Sequence, residues 1–286
     1  MSGAISALRR FIPRPEPRGG GSDRFAVARE AFAAGFHRAL DDRASASVTA
    51  ALETFDPPRR GFAWEGAGLA LQLADRWAPG PGNAVREVRD LVPRPYLPFL
   101  AVGVGWAWAR GARLSVEGGE TALAAFDRGT KDGLGFHEGY FAAYRFRKAL
   151  FPPRGEDVDH GLGRSAWFVF RGDARQVMAA LARFPEPRRD ALWKGVGFAA
   201  TYCGGADARA LVSESGAWAE SVASGARRAQ AMAAACGYLS PRMSAAAEAL
   251  AGPEVSAGST GGQQMGGSSG SYGLRESPPA NSAHRG

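Results

Sequence analysis

The chain has 286 residues, 45% of them hydrophobic, enough to bury a real core in one large domain or two small ones. Its formal charge of +7 comes from arginines scattered in pairs such as Arg9-Arg10, Arg188-Arg189 and Arg227-Arg228, without the interleaved aromatic and basic residues of an RNA-binding sheet, so no nucleic-acid partner is expected. Cys203 and Cys236 lack CxxC spacing and make neither a disulfide scaffold nor a zinc site.

The N-terminal stretch MSGAISALRRFIPRPEPRGGG carries its arginines after a short apolar segment, the reverse of signal-peptide anatomy, which predicts a cytoplasmic location. Residues 1–22 read as a flexible lead-in, because Pro, Gly and Arg dominate from residue 11 and cannot bury a face. Phe25, Ala28, Phe32 and Phe36 then recur at spacings of three and four, one face of a helix for which Ser22 and Asp23 are the candidate caps. Alanine-rich segments of this kind alternate with short Pro/Gly breaks as far as residue 251, predicting a mainly α fold in a single domain over 23–251. Gly, Ser and Pro dominate the tail, 252–286, which is expected to be disordered.

The phrase FDPPRRGFAWEGAGLA, residues 55–70, returns as FPEPRRDALWKGVGFA at 184–199. In each copy an alanine-leucine helix ends at Phe55 or Phe184, and proline, which fixes φ and donates no hydrogen bond, forces a turn. A second helix follows with Trp and a Gly-x-Gly pair, whose missing side chains let another backbone come close. Helical hairpins are therefore expected at about 48–75 and 177–204. A fainter third, at about 121–148, is expected where Glu138-Gly139 falls in the place of Glu65-Gly66. Repeated hairpins bury by stacking what none could bury alone, so the predicted architecture is a compact helical array.

Two segments between the repeats stand apart. Leu97 to Ala109, LPFLAVGVGWAWA, is too short to span a bilayer that needs roughly 20 apolar residues, and reads as a buried helix or a surface resting on a membrane. Ala166 to Phe170, AWFVF, is the one strand-like stretch and admits a short β-hairpin near 164–171.

The polar residues worth weighing sit at the repeated step: Trp64-Glu65-Gly66, His137-Glu138-Gly139 and Trp193-Lys194-Gly195. If the helices share an axis, Glu65, Glu138 and Lys194 approach one another with His137 alongside, a candidate acid/base cluster. The plainer alternative puts Glu65 and Lys194 at solvent edges and stacks His137 on a neighbouring helix. No Glu-x-x-His pair of a di-iron bundle, no P-loop, no GxSxG elbow and no redox cofactor motif occurs, and the cofactor is left unknown. Gly161-Leu162-Gly163-Arg164-Ser165 is an incomplete glycine loop, more in keeping with a turn than with a nucleotide site. The aromatic supply, including Trp64, Trp193, Phe136 and Tyr140, serves a core and equally suits a flat unsaturated ligand.

The phrases FAWEGAGLAL, GFHEGYF, GLGRSAWFVF and LWKGVGFAATYCGG resemble the UnbL-type proteins found beside enediyne polyketide synthases, over about Phe25 to Ala235. The resemblance implies a role in building or tailoring an enediyne core by desaturation, cyclisation or another modification of a long unsaturated apolar polyketide intermediate. It also implies partners among the other proteins of such clusters, a membrane-embedded one included. Within those phrases Glu65, His137, Glu138 and Tyr140 are the catalytic candidates, and Trp64, Arg164, Trp193 and Tyr202 the substrate-binding ones. A non-catalytic scaffold that docks the synthase or a membrane electron-transfer partner is the alternative.

Overall fold

The computed structural model describes residues 2–10, 12, 24–42, 44–77, 83–111, 120–204 and 208–251. Every regular element among them is helical. The α-helices in chain order are α1 (Ser2–Arg9), α2 (Arg24–Asp41), α3 (Ser45–Glu53), α4 (Pro57–Trp77), α5 (Ala84–Leu91), α6 (Leu97–Ala109), α7 (Glu120–Phe141), α8 (Glu156–Val169), α9 (Ala174–Leu181), α10 (Glu186–Cys203), α11 (Ala208–Ser215), α12 (Ala219–Ala235) and α13 (Pro241–Ala251). The mainly α expectation holds, and the array is compact.

Both copies of the repeated phrase are a short helix turned into a long one, α3 into α4 and α9 into α10. Prolines fit the first turns of the long helices, where their missing N–H groups go unused: Pro57 and Pro58 in α4, Pro187 in α10. The second arginine of each phrase closes the turn. Arg60 donates to the carbonyls of Glu53 (2.8 Å) and Phe55 (3.1 Å), and Arg189 donates to those of Ala182 (2.7 Å) and Phe184 (2.8 Å). These are equivalent bonds that satisfy the orphan carbonyls at the end of α3 and of α9.

Seven helices pack in series, α2 on α4, then α6, α7, α8, α10 and α12. A tetrapeptide sets each contact: Glu65-Gly-Ala-Gly on α4, Val102-Gly-Val-Gly on α6, Asp132-Gly-Leu-Gly on α7, His160-Gly-Leu-Gly on α8 and Lys194-Gly-Val-Gly on α10. A Cβ at the first glycine would overlap the carbonyl that precedes the glycine pair of the helix before. Gly103 thus lies on Glu65, Gly133 on Val102, Gly161 on Asp132, Gly195 on His160 and Gly225 on Lys194. The second glycine meets the helix after in the same way, as Gly68 meets Leu100 and Gly163 meets Leu192. The end helices keep only the glycine that faces a neighbour, Gly35 on α2 and Gly225 on α12. Each glycine costs about 1 kcal/mol of helix propensity relative to Ala, a cost offset by close backbone packing along the whole row.

The row curls on itself. Tyr96, just before α6, donates its hydroxyl to the carbonyl of Cys236 at the end of α12 (3.3 Å), and Phe25 of α2 meets Phe168 of α8 edge-on at 5.0 Å. Helix α6 lies inside this curl, buried from Phe99 through Ala107, so the Leu97 to Ala109 segment is core and the alternative of a membrane-resting surface is set aside.

Three expectations are corrected. Residues 164–171 form no hairpin, because AWFVF is the end of α8. That helix starts on Glu156, Asp157 and Asp159, which favour its positive N-terminal end, and it buries Leu162, Ala166 and Trp167, so packing overrides the β propensity of the phrase. Residues 120–141 are one continuous helix, followed by a 3-10 turn over Ala143–Lys148, so no third hairpin occupies 121–148. Residues 2–9 of the lead-in are helical, with Leu8 buried and Arg9 paired to Asp41 at 2.6 Å. The rest of that lead-in, residues 10 and 12 excepted, the proposed caps Ser22 and Asp23, and the tail 252–286 lie outside the described residues.

Candidate functional site

The residue just before the first glycine of each tetrapeptide stands at a helix crossing. Three such residues, Glu65, Asp132 and His160, meet in the interior around Arg164, which lies one turn beyond His160 on α8. Arg164 donates to Oδ1 of Asp132 and, at 3.3 Å, to Oε1 of Glu65, while Nδ1 of His160 bonds Oδ2 of Asp132. All four side chains are buried. The guanidinium of Arg164 is sandwiched between Phe136 and Phe198, 5.2 and 5.4 Å from their ring centroids. Phe198 in turn stacks on Tyr202 (5.7 Å, 7° between planes), which also meets Phe62 and Phe99.

One guanidinium serves two carboxylates, and the two titrate apart. Burial works against ionising Asp132, but Arg164 and His160 outweigh it and hold the carboxyl down to about 2. Burial dominates at Glu65, with Asp132 adding repulsion against the pull of Arg164, and its pKa rises to about 7. Burial also lowers the pKa of His160 despite Asp132, and this favours the neutral ring near neutral pH. With Nδ1–H held by the Asp132 carboxylate, Nε2 is the bare acceptor. That atom and the Tyr202 hydroxyl are buried with no hydrogen-bond partner among the described residues. An orphaned buried polar group costs about 1–3 kcal/mol, so the fold sustains these two at the expense of stability. The interior thus presents a carboxyl near half-protonation, a bare imidazole nitrogen and flat aromatic walls.

The residues expected from sequence divide. Glu65, Arg164 and Tyr202 are in the site, although Arg164 is fully engaged by carboxylates and rings and acts as the strut between α4, α7 and α8. Glu138 does not approach Glu65: it pairs with Arg154 at 2.7 Å. His137 accepts from Nε of Arg110 at 2.9 Å and meets the tilted ring of Phe141 at 4.6 Å; burial, then Arg110, push its pKa down to about 4. Lys194 pairs with Asp190 one turn back at 2.6 Å, half-exposed. Hence Glu65, Glu138 and Lys194 do not converge; the plainer alternative holds for half-exposed Lys194 but not for buried Glu65, and His137 meets Trp106 of the neighbouring α6 edge-on at 5.7 Å. Tyr140 stacks on Phe136 at 5.8 Å, on the wall of the site but apart from its polar centre. Trp64 and Trp193 are core: Trp64 packs in the cluster that holds Val48 and Leu52 of α3, Trp193 in the one that holds Val177 and Leu181 of α9.

Asp132 and His160 are the members that sequence reasoning missed. The signal was present, since Asp132-Gly-Leu-Gly and His160-Gly-Leu-Gly repeat Glu65-Gly-Ala-Gly. Aligning the middle copy on the two-residue step Glu138-Gly139 hid it; Gly139 faces Ser165 rather than a backbone crossing. Among the described residues no group of three or more His, Cys, Asp and Glu side chains is placed to hold a metal ion.

Fold and site define a mainly α protein whose glycine-interlocked row of helices encloses a cluster of titratable groups. The chain belongs to the family described as "Protein of unknown function (DUF1702)", which matches residues 21–267. No curated protein and no solved structure matches it.

Proposed function

We propose that this protein moves protons within a long, unsaturated, apolar polyketide intermediate, with Glu65 as acid and His160 as base, as an accessory step in building an enediyne core in the cytoplasm. The pathway rests on the resemblance carried by FAWEGAGLAL, GFHEGYF, GLGRSAWFVF and LWKGVGFAATYCGG. The chemistry rests chiefly on one observation: a carboxyl with a pKa of about 7 shares an interior with the unpartnered Nε2 of a neutral histidine. Both groups stand in the protonation state their task needs near neutral pH.

In this reading Glu65 delivers its proton to one position of the polyene while Nε2 of His160 removes one from another. Double bonds shift or a ring closes, and no electrons are gained or lost. The imidazolium formed is stabilised by Asp132, which fixes the tautomer and orientation of the ring. Arg164 is a positioning residue that holds Glu65 and Asp132 in register. Phe62, Phe99, Phe198 and Tyr202 supply the apolar walls a flat ligand needs.

The test is transfer of solvent hydrogen. A linear polyene carboxylic acid incubated with the protein in deuterated water should return rearranged and carrying deuterium. Glu65→Gln and His160→Gln should abolish that label, and His137→Gln should keep it. Undiminished labelling by both folded site variants, or no labelling by any form, would leave the helical scaffold that docks the synthase or a membrane electron-transfer partner as the better account.

A further inference from the structure

Six large apolar side chains are exposed among the described residues, and three of them, Phe141, Tyr144 and Leu150, fall within ten residues at the end of α7 and the 3-10 turn that follows. The turn is rigidly held from below. Phe146 and Phe151 are buried and meet at 4.9 Å with tilted rings; Phe151 stacks on Phe184 of the α9–α10 turn at 6.1 Å, and Phe146 meets it tilted at 6.2 Å. Leu150 N–H bonds the carbonyl of Arg145 (3.1 Å), and Arg183 caps the carbonyl of Arg147 (2.8 Å). Pinning these residues inward turns the others outward: Tyr144 is 68% exposed, Leu150 56% and Phe141 50%.

The run of chain that carries these apolar tips is basic. Arg145, Arg147, Lys148 and Arg154 lie between Phe141 and Arg154, a run with no Asp or Glu, and the nearby Glu138 is neutralised by Arg154. From this we propose that residues 141–154 form a docking knob for an anionic membrane surface. Tyr144, Leu150 and Phe141 enter the headgroup boundary, and Arg145, Arg147 and Lys148 lie against lipid phosphates. Aromatic rings with basic residues at one level suit the interface between water and lipid, where each cation adds to the attraction of an anionic leaflet. An exposed turn that carries both apolar tips and basic residues fits a deformable lipid surface, and no helix among the described residues is long and apolar enough to cross a membrane, so the contact is peripheral.

Co-sedimentation with vesicles tests this directly, using phosphatidylcholine alone and phosphatidylcholine mixed with phosphatidylserine. The full chain should pellet with the mixed vesicles, not with the neutral ones, and release at high salt. Arg147→Gln with Lys148→Gln should weaken partitioning by about fivefold for each charge removed. Tyr144→Ser with Leu150→Ser should weaken it further, all four substitutions being at exposed positions and checked for fold by circular dichroism. Failure to bind mixed vesicles, or binding by the folded variants equal to that of the parent, would overturn the proposal, including the case in which an acidic protein binds the knob instead.

Discussion

Gly195 of α10 rests on the carbonyl of His160 on α8, so the crossing that joins the two helices also places the imidazole of the site. The same holds at Gly103 against Glu65 and at Gly161 against Asp132. At these three crossings packing and site are one feature of the sequence, since the residue that receives the glycine also sends its side chain into the cluster, whereas Val102 and Lys194 receive a glycine and stay outside it.

Gly195→Ala should force α8 and α10 apart, because the added methyl meets backbone rather than a movable side chain. A destabilisation of about 3 kcal/mol, at the upper end of overpacking costs, is the expected outcome in urea unfolding. A cost under about 1 kcal/mol would mean that the crossing is looser than described.

Asp132→Asn should be the most damaging substitution in the cluster. It strips Arg164 of its main partner in the interior and reverses the donor pattern at His160 Nδ1, and breaking a buried pair costs about 3–5 kcal/mol. With the repulsion of Asp132 gone, Glu65 becomes the counter-ion of Arg164 and its pKa should fall below 7, readable by infrared titration of the carboxyl band.

Glu65 makes stability depend on pH with a definite sign. Its folded pKa of about 7 lies above the ordinary 4.5, so between those values the folded chain holds a proton that the unfolded chain has lost, and stability falls as pH rises through that window. Gln carries no such proton. The stability of Glu65→Gln relative to the parent should therefore improve by roughly 3 kcal/mol between pH 4 and pH 8, as measured by denaturation at each pH. A constant difference across that range would show that Glu65 titrates normally.

Arg60 and Arg189 make matching backbone bonds in the two hairpins, and Arg60 adds an ion pair with Glu53 at 3.0 Å, so its removal should cost at least as much as that of Arg189. Arg60→Ala and Arg189→Ala should each lose about 1–3 kcal/mol, since each leaves two carbonyls without their charged donor. Lys should restore little, because a single ammonium cannot reach two carbonyls with the geometry of a guanidinium. Thermal melts of the four variants check both statements.

The doubled hairpins were legible because their determinants are local: two prolines, a clamp arginine and a Gly-x-Gly pair within sixteen residues. The five-fold tetrapeptide was harder to see, since its flanking residues differ wherever a helix faces a different neighbour. Val102 sits in the apolar α6 and Lys194 beside Asp190, leaving only glycine spacing as the common signal. Glu65 was found because it lies in the repeated phrase, and Tyr202 because it lies in LWKGVGFAATYCGG, just beyond the second copy. Asp132 and His160 were missed because their tetrapeptides share only glycine spacing with Glu65-Gly-Ala-Gly, and Trp64 and Trp193 lie buried in the clusters that hold residues of α3 and α9.

The central claim is most directly tested by complementing a producer that lacks this gene with the parent chain, Glu65→Gln, His160→Gln and, as a control, His137→Gln, each verified as folded, while profiling products by mass spectrometry. The account predicts normal product from the parent and the control, and an accumulated unprocessed polyene from both site variants. Full product from Glu65→Gln and His160→Gln would contradict it.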